Sequence, residues 1–218
     1  MRAIVIKSHV EPTSGRARIV REATGFNVFG GVCLNNSVGG LNQDAVKTAA
    51  SIGGKVIWLP TISYADIKLD YSVLEDIFTV IVENDLVLAT GHLGVEDIFQ
   101  VLDMARSMGL EKLIVNHPLT RAVGASIEEQ KEMARNAYME HCYVACMEKH
   151  DQLDLKVMTG AIKEVGAPRC IMATDFGQYH NPYPTEGFKM YIKALMDEGV
   201  SQKEIGVMGI TNPSKLLF

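Results

Sequence analysis

Residues 112–118 read KLIVNHP, and this short stretch decides how the rest is read. Leu113 to Val115 is an apolar run, and it ends at once in Asn116 and His117. A continuous apolar run bounded by turn residues predicts a strand covered on both faces. The same pattern recurs along the chain. Downstream, in CIMATDFG (170–177), Asp175 follows IMAT. Upstream, DLVLATGH (85–92) ends on His92, KVIWLPT (55–61) on Thr61, FNVFGGVCLN (26–35) on Asn35 and AIVIKSH (3–9) on His9. YMEHCYV (138–144) is a weaker member of the series.

Segments of helical period lie between these runs. NQDAVKTAASIGG (42–54) gathers Ala45, Ala49 and Ile52 on one side, and VEDIFQVLDMARSMG (95–109) repeats Val95, Ile98, Val101, Leu102 and Ala105. SIEEQKEMARNA (126–137) opens on Ser126 with Glu129 three residues on, a capping-box signature. PTEGFKMYIKALMDEG (184–199) closes on Gly199. Strands alternating with helices predict a parallel sheet with helical crossovers, which put every strand C-terminus on one side. An open doubly wound sheet needs polar residues only at the strands beside its switch point, whereas a barrel brings all strand ends to one mouth. Because polar residues end nearly every run, the expectation is α/β, a TIM-like (β/α) barrel of seven strands. No linker or composition break divides it, so residues 1–218 are expected to form one domain.

The chain is long enough for a sizeable core, with 47% hydrophobic and 22% charged residues. A formal net charge of -5 argues against nucleic acid as a partner, and no apolar stretch approaches a membrane span. With no visible signal peptide, a cytoplasmic location is expected. Cys33, Cys142, Cys146 and Cys170 are too scattered for a disulfide framework. Cys142, Cys146 and His150 are spaced four apart and would share a face if helical; buried thiols are the plainer reading.

Three histidines and an aspartate at one mouth suit a divalent ion, zinc first, with manganese or iron as other choices. Such an ion lowers the pKa of bound water, and a neighbouring carboxylate can take the proton; Asp175 is the candidate. Structural alternatives stand beside each residue. A histidine at a strand end is often simply hydrogen-bonded, and Asp175 could cap a following helix. His180, in a loop just past Asp175, is a candidate to face substrate. Gly30-Gly31 and Gly39-Gly40 match neither a P-loop nor a dinucleotide fingerprint, so turn duty is expected of them, and no Gly-x-Ser-x-Gly elbow occurs.

The motifs KSHxxxT (7–13), GGVCLNNSVGGLN (30–42), WLPT, LATGH, NHP, TDFGQ and NPSKLL (212–217) together resemble an amidohydrolase-like branch of the amidohydrolase superfamily of metal-dependent α/β barrels. The resemblance covers nearly the whole chain. The family pattern has a His-x-His on the first strand, a lysine or glutamate on the fourth, histidines on the fifth and sixth, and an aspartate on the eighth. If AIVIKSH is the second strand, His92, His117 and Asp175 fall on the fifth, sixth and eighth, and the usual first strand is missing. No His-x-His occurs, and the fourth run offers no lysine or glutamate. Either Met1 is internal to a longer protein, or this is a natural seven-stranded barrel in which His9 replaces the absent ligands.

The resemblance implies a metal-dependent hydrolase acting on a small polar substrate. His9, His92, His117 and Asp175 would bind the ion, and Lys7, Asn35, Thr61, Gln178 and His180 would orient substrate. A metal-dependent phosphoesterase and a catalytically degenerate binding barrel are the alternatives. Exposed strand edges left by a missing strand leave room for a homo-oligomer.

Overall fold

The computed structural model describes residues 2–218; Met1, on which the expectation of an upstream strand turns, lies outside the described residues. The chain divides into two compact units, Met1–Ile114 and Val115–Phe218. Every described strand pair is parallel and joins strands consecutive along the chain.

The first unit contains β1 (Ala3–Val5), β2 (Asn27–Phe29), β3 (Gly31–Cys33), β4 (Val56–Trp58) and β5 (Val87–Ala89), with β6 (Leu113–Asn116) running across the boundary. Helices α1 (Ser14–Thr24), α2 (Gln43–Ser51), α3 (Tyr71–Glu83) and α4 (Val95–Ser107) alternate with them. The run FNVFGGVCLN, read as one strand, is broken at Gly30: β2 pairs with β1, and β3 pairs with β4. The break has a steric and a hydrogen-bonding cause. A Cβ on Gly31 would lie 1.7 Å from the Val56 carbonyl oxygen, so only glycine lets the chains approach. Thr13 then takes Gly31's ladder groups: Gly31 N–H donates to Thr13 Oγ1, and Thr13 N–H donates to the Gly31 carbonyl.

The expectation that the first strand is covered on both faces needs correcting. Ile4 is 36% exposed and Val5 38%. β1 is an end strand of a two-stranded sheet, so its apolar run lacks the double cover that β4 and β5 have. Helix α3 has no counterpart among the helical segments expected from periodicity. It buries Leu74, Ile77, Phe78 and Ile81 at helical spacing and starts on Asp70, whose carboxylate accepts the Ser72 and Val73 N–H groups. Its apolar residues extend beyond one stripe, which blurs the period.

The second unit contains β7 (Tyr138–Cys142) and β8 (Cys170–Ala173) with α5 (Ile127–Met133), α6 (Leu155–Val165), α7 (Pro184–Asp197), α8 (Gln202–Gly206) and α9 (Asn212–Leu217). The Ser126/Glu129 capping box opens α5 as expected. Cys142 ends a strand and Cys146 ends a 3-10 turn, so with His150 they share no helical face. The Asn of the NPSKLL motif plays a structural part. Buried Asn212 donates to the carbonyls of Ala167 and Cys170, anchoring α9 at the start of β8. Among the described residues no helix is long and apolar enough to cross a membrane.

Candidate functional site

Two groups of strand-end residues result, one in each unit. In the first, Asn35 follows β3 and is fully buried. Its carbonyl oxygen accepts the backbone N–H groups of Thr61 and Ser63 at 2.8 and 3.1 Å. Its amide donates to the His9 carbonyl at 2.9 Å and to Thr61 Oγ1 at 2.7 Å. The Thr61 hydroxyl, also fully buried, lies 2.7 Å from His9 Nδ1. When His9 donates its Nδ1–H to Thr61, Nε2 becomes the lone-pair nitrogen, the tautomer that a ligating histidine needs. Asn35 and Thr61, expected to orient substrate, thus spend their polar atoms on His9 and on the turn after β4. The glycines at 39 and 40 serve this turn network: Gly40 N–H donates to the Asn35 carbonyl, and Asn42 caps α2.

His92 lies half-buried after β5, and its N–H donates to the Pro60 carbonyl at 3.0 Å. Gly91 permits this. A Cβ there would stand 2.3 Å from the Leu59 carbonyl oxygen, on a backbone with φ +64°. The His92 ring is edge-on to His9 at 6.1 Å and to Tyr64 at 6.2 Å. Lys7 is half-buried beyond β1.

In the second unit His117 follows β6 directly and Asp175 lies two residues past β8. His117 Nε2 and Asp175 Oδ2 are 3.5 Å apart; the imidazole is 6% exposed and the carboxylate 29%. Both residues have left-handed backbone, at φ 48° and 52°. Such a conformation is uncommon outside glycine and tends to persist at functional sites. The surroundings hold it. His117 N–H donates to the Glu140 carbonyl, and the His117 carbonyl accepts both the N–H and the hydroxyl of Thr120. Gln178, half-buried, donates to the Asp175 carbonyl at 3.1 Å. Its own oxygen accepts the Gly177 N–H and the Asn181 amide. Gln178 therefore braces the Asp175 loop. His180 is exposed, with Nε2 3.3 Å from His150 Nε2. Burial, then Lys149 and His150, lower the His180 pKa. Asp175 caps no helix, because α7 begins only at Pro184.

The sequence reading gives no site role to three residues of this unit. Asn116 donates to Glu140 Oε2 at 2.6 Å. His141, in β7, is 2% exposed, and neither ring nitrogen has a hydrogen-bond partner among the described residues. Burial, and secondarily His117, push its pKa down to about 4. The signal was the polar pair Glu140-His141 inside an otherwise apolar run.

The donor set is compatible with a cation. Two ligands about 2.1 Å from a metal at a tetrahedral angle stand about 3.4 Å apart, and His117 Nε2 and Asp175 Oδ2 are 3.5 Å apart. That separation is long for a hydrogen bond and suits two ligands of one ion. Among the described residues, no group of three or more His, Cys, Asp or Glu side chains stands ready as a metal cage.

The fold has counterparts among solved structures. The whole chain superposes on 84% of the phosphotriesterase homology protein from Escherichia coli, a structure with phosphate in its active site, with a TM-score of 0.70 and 14% identity. The organophosphorus hydrolase from Deinococcus radiodurans matches 92% of this chain over 73% of its own, with a TM-score of 0.66 and 16% identity. A mutant PTE-like lactonase from the same organism matches 91% over 75%, at 0.65 and 16%. The expected α/β, TIM-like fold class is the one shared with these structures. By sequence, the chain belongs to a family of unknown function, DUF6282, which matches residues 1–72 and 68–140. No curated protein matches it.

Proposed function

We propose that this protein is a metal-dependent hydrolase of small polar substrates. The pairing of His117 with Asp175, on left-handed backbone past parallel strands, carries the reading. A bound divalent cation, zinc first, would supply a water of lowered pKa. His117 and Asp175 would hold it, with Asp175 also taking the proton of the attacking water. In the first unit the same donor chemistry belongs to His9 and His92. Thr61 and Asn35 hold His9 in place, while Gln178 fixes the Asp175 loop. Lys7 and His180 are the residues proposed to meet substrate.

The fold supports this reading, because proteins that share it include an organophosphorus hydrolase and a lactonase. Phosphoester hydrolysis is the second reading, favoured by the phosphate in the active site of the E. coli structure. The test is metal analysis of protein purified without chelator, alongside turnover of 4-nitrophenyl acetate, a γ-lactone and 4-nitrophenyl phosphate. Bound metal that falls in His117→Ala, with turnover lost in the same variant, supports the proposal. Metal content near zero and unchanged by the substitution defeats it. Turnover of the phosphate alone selects the second reading. Metal with no turnover of any substrate points to a binding protein.

A further inference from the structure

The first unit holds a solvent-open cleft of about 280 Å³, a shallow cavity between the loop after β4 and the start of α4. Its apolar wall is made by the rings of Tyr64 and Tyr71 with Ile67, Leu69 and Leu93. An apolar cavity of about 150 Å³ accepts a benzene-sized ring. This one therefore has room for a single ring with a substituent, and falls just short of the usual span for drug-sized ligands. Polar groups enter at three points, Lys68, Asp97 and Gln100. The Tyr71 hydroxyl donates to Gln100 Oε1, which fixes both side chains. Among the described residues Lys68 is the only cation in the lining, so an oxygen-bearing or anionic substituent suits that point. The nearby Asp97 carboxylate disfavours a second negative charge.

Tyr64 links this cavity to the strand-end residues. It lines the cavity and also stands edge-on to the His92 ring at 6.2 Å. Tyr64 and Tyr71 are 42% and 37% exposed, a large aromatic surface for so short a segment. A wall of aromatic rings with a few placed polar groups is the usual make-up of a small-molecule site. We propose that this cavity binds a compact aromatic group carrying one oxygen substituent. That the group is the non-reacting part of a hydrolase substrate, seated beside His92, rests on the reading above.

Gly94 provides a clean variant. It lines the cavity, has ordinary backbone (φ -69°, ψ 162°), and a Cβ there meets nothing within 4 Å. Gly94→Phe therefore adds bulk at the cavity without straining the chain. The experiment titrates the protein with benzoate and follows backbone amide NMR shifts, with hexanoate as the aliphatic comparator. Saturable shifts confined to residues 64–71 and 93–100 are expected, with hexanoate binding more weakly. Gly94→Phe should weaken benzoate by about tenfold or more. Tyr64→Ala, at an exposed position, is the second variant and should weaken it by about threefold or more. The absence of saturable shifts in these segments, or unchanged affinity in both variants, overturns the assignment. The titration reads binding without turnover. An inactive protein that binds here therefore counts against the hydrolase reading alone, and an active hydrolase without these shifts counts against the cavity alone.

Discussion

His117 Nε2 faces Asp175 Oδ2 at 3.5 Å, and both residues hold left-handed backbone. Each such conformation costs on the order of 1–3 kcal/mol for a non-glycine residue unless its surroundings enforce it. Here Thr120 and the β7 backbone enforce it at His117, and Gln178 braces the loop at Asp175. Asp85 and Gln152 share this conformation, so it is the facing of His117 and Asp175, not the backbone alone, that sets this pair apart.

Asp175→Asn separates charge from conformation. Asparagine tolerates left-handed backbone, so the melting temperature should stay close to that of the parent protein. If Asp175 takes the water's proton as proposed, kcat/KM should fall by about 10²–10⁴-fold. Asp175→Val should in addition lose stability, because a β-branched residue is a poor fit at φ 52°. Steady-state kinetics and thermal melts on both variants check this. Unchanged turnover in Asp175→Asn would remove Asp175 from catalysis.

Asn35→Ala should be among the most destabilising single changes in the first unit. It strips a partner from the Thr61 and Ser63 N–H groups and from the Thr61 hydroxyl, all in buried surroundings. The Thr61 hydroxyl keeps His9, but the two N–H groups are left unpaired at about 1–3 kcal/mol each, so a loss of roughly 2–6 kcal/mol is expected. Urea denaturation at constant m-value measures it. A change below about 0.5 kcal/mol, the range of ordinary surface substitutions, would show that the network contributes little.

Gly91→Ala tests how His92 is placed. The new methyl would lie 2.3 Å from the Leu59 carbonyl oxygen and 2.5 Å from that of Pro60. The chain must move, and with it the His92 N–H bond to Pro60. A loss of about 2 kcal/mol or more is expected from the clash and the positive φ together. Activity should fall more than in Gly109→Ala, another positive-φ glycine whose Cβ would meet open space.

His141 predicts a pH dependence of stability. Its folded pKa, about 4, lies below the ordinary histidine value because the ring is buried with no hydrogen-bond partner among the described residues. The unfolded chain therefore binds the extra proton first as pH falls. Stability is unaffected by this group above about pH 6.5, declines as pH drops from there towards 4, and levels off below. The loss over that window is on the order of 3 kcal/mol. His141→Phe should flatten this part of the curve in urea denaturation at pH 7 and pH 5. An identical slope in both proteins would assign the dependence to other groups.

The alternation of strands and helices was legible from the chain itself, although α1, α3 and α6 were not among the segments its periodicity marked. KLIVNHP, DLVLATGH and CIMATDFG carry apolar runs of the length that a covered parallel strand buries, and Ser126 with Glu129 announced α5 through a purely local exchange of hydrogen bonds. Local chemistry also sufficed to put polar residues at the strand ends. Tertiary structure decided what those residues do. Asn35 and Thr61 look like a substrate's ligands on paper, and only folding shows their polar atoms bonded to His9 and to the turn after β4. The break at Gly30 depends on how closely Val56 approaches, and the exposure of Ile4 and Val5 on which strands flank β1. The left-handed backbone shared by His117 and Asp175 is likewise invisible in composition, because 58 residues separate them along the chain. Periodicity reports what a residue buries; which atoms it meets is set by chain segments distant in sequence.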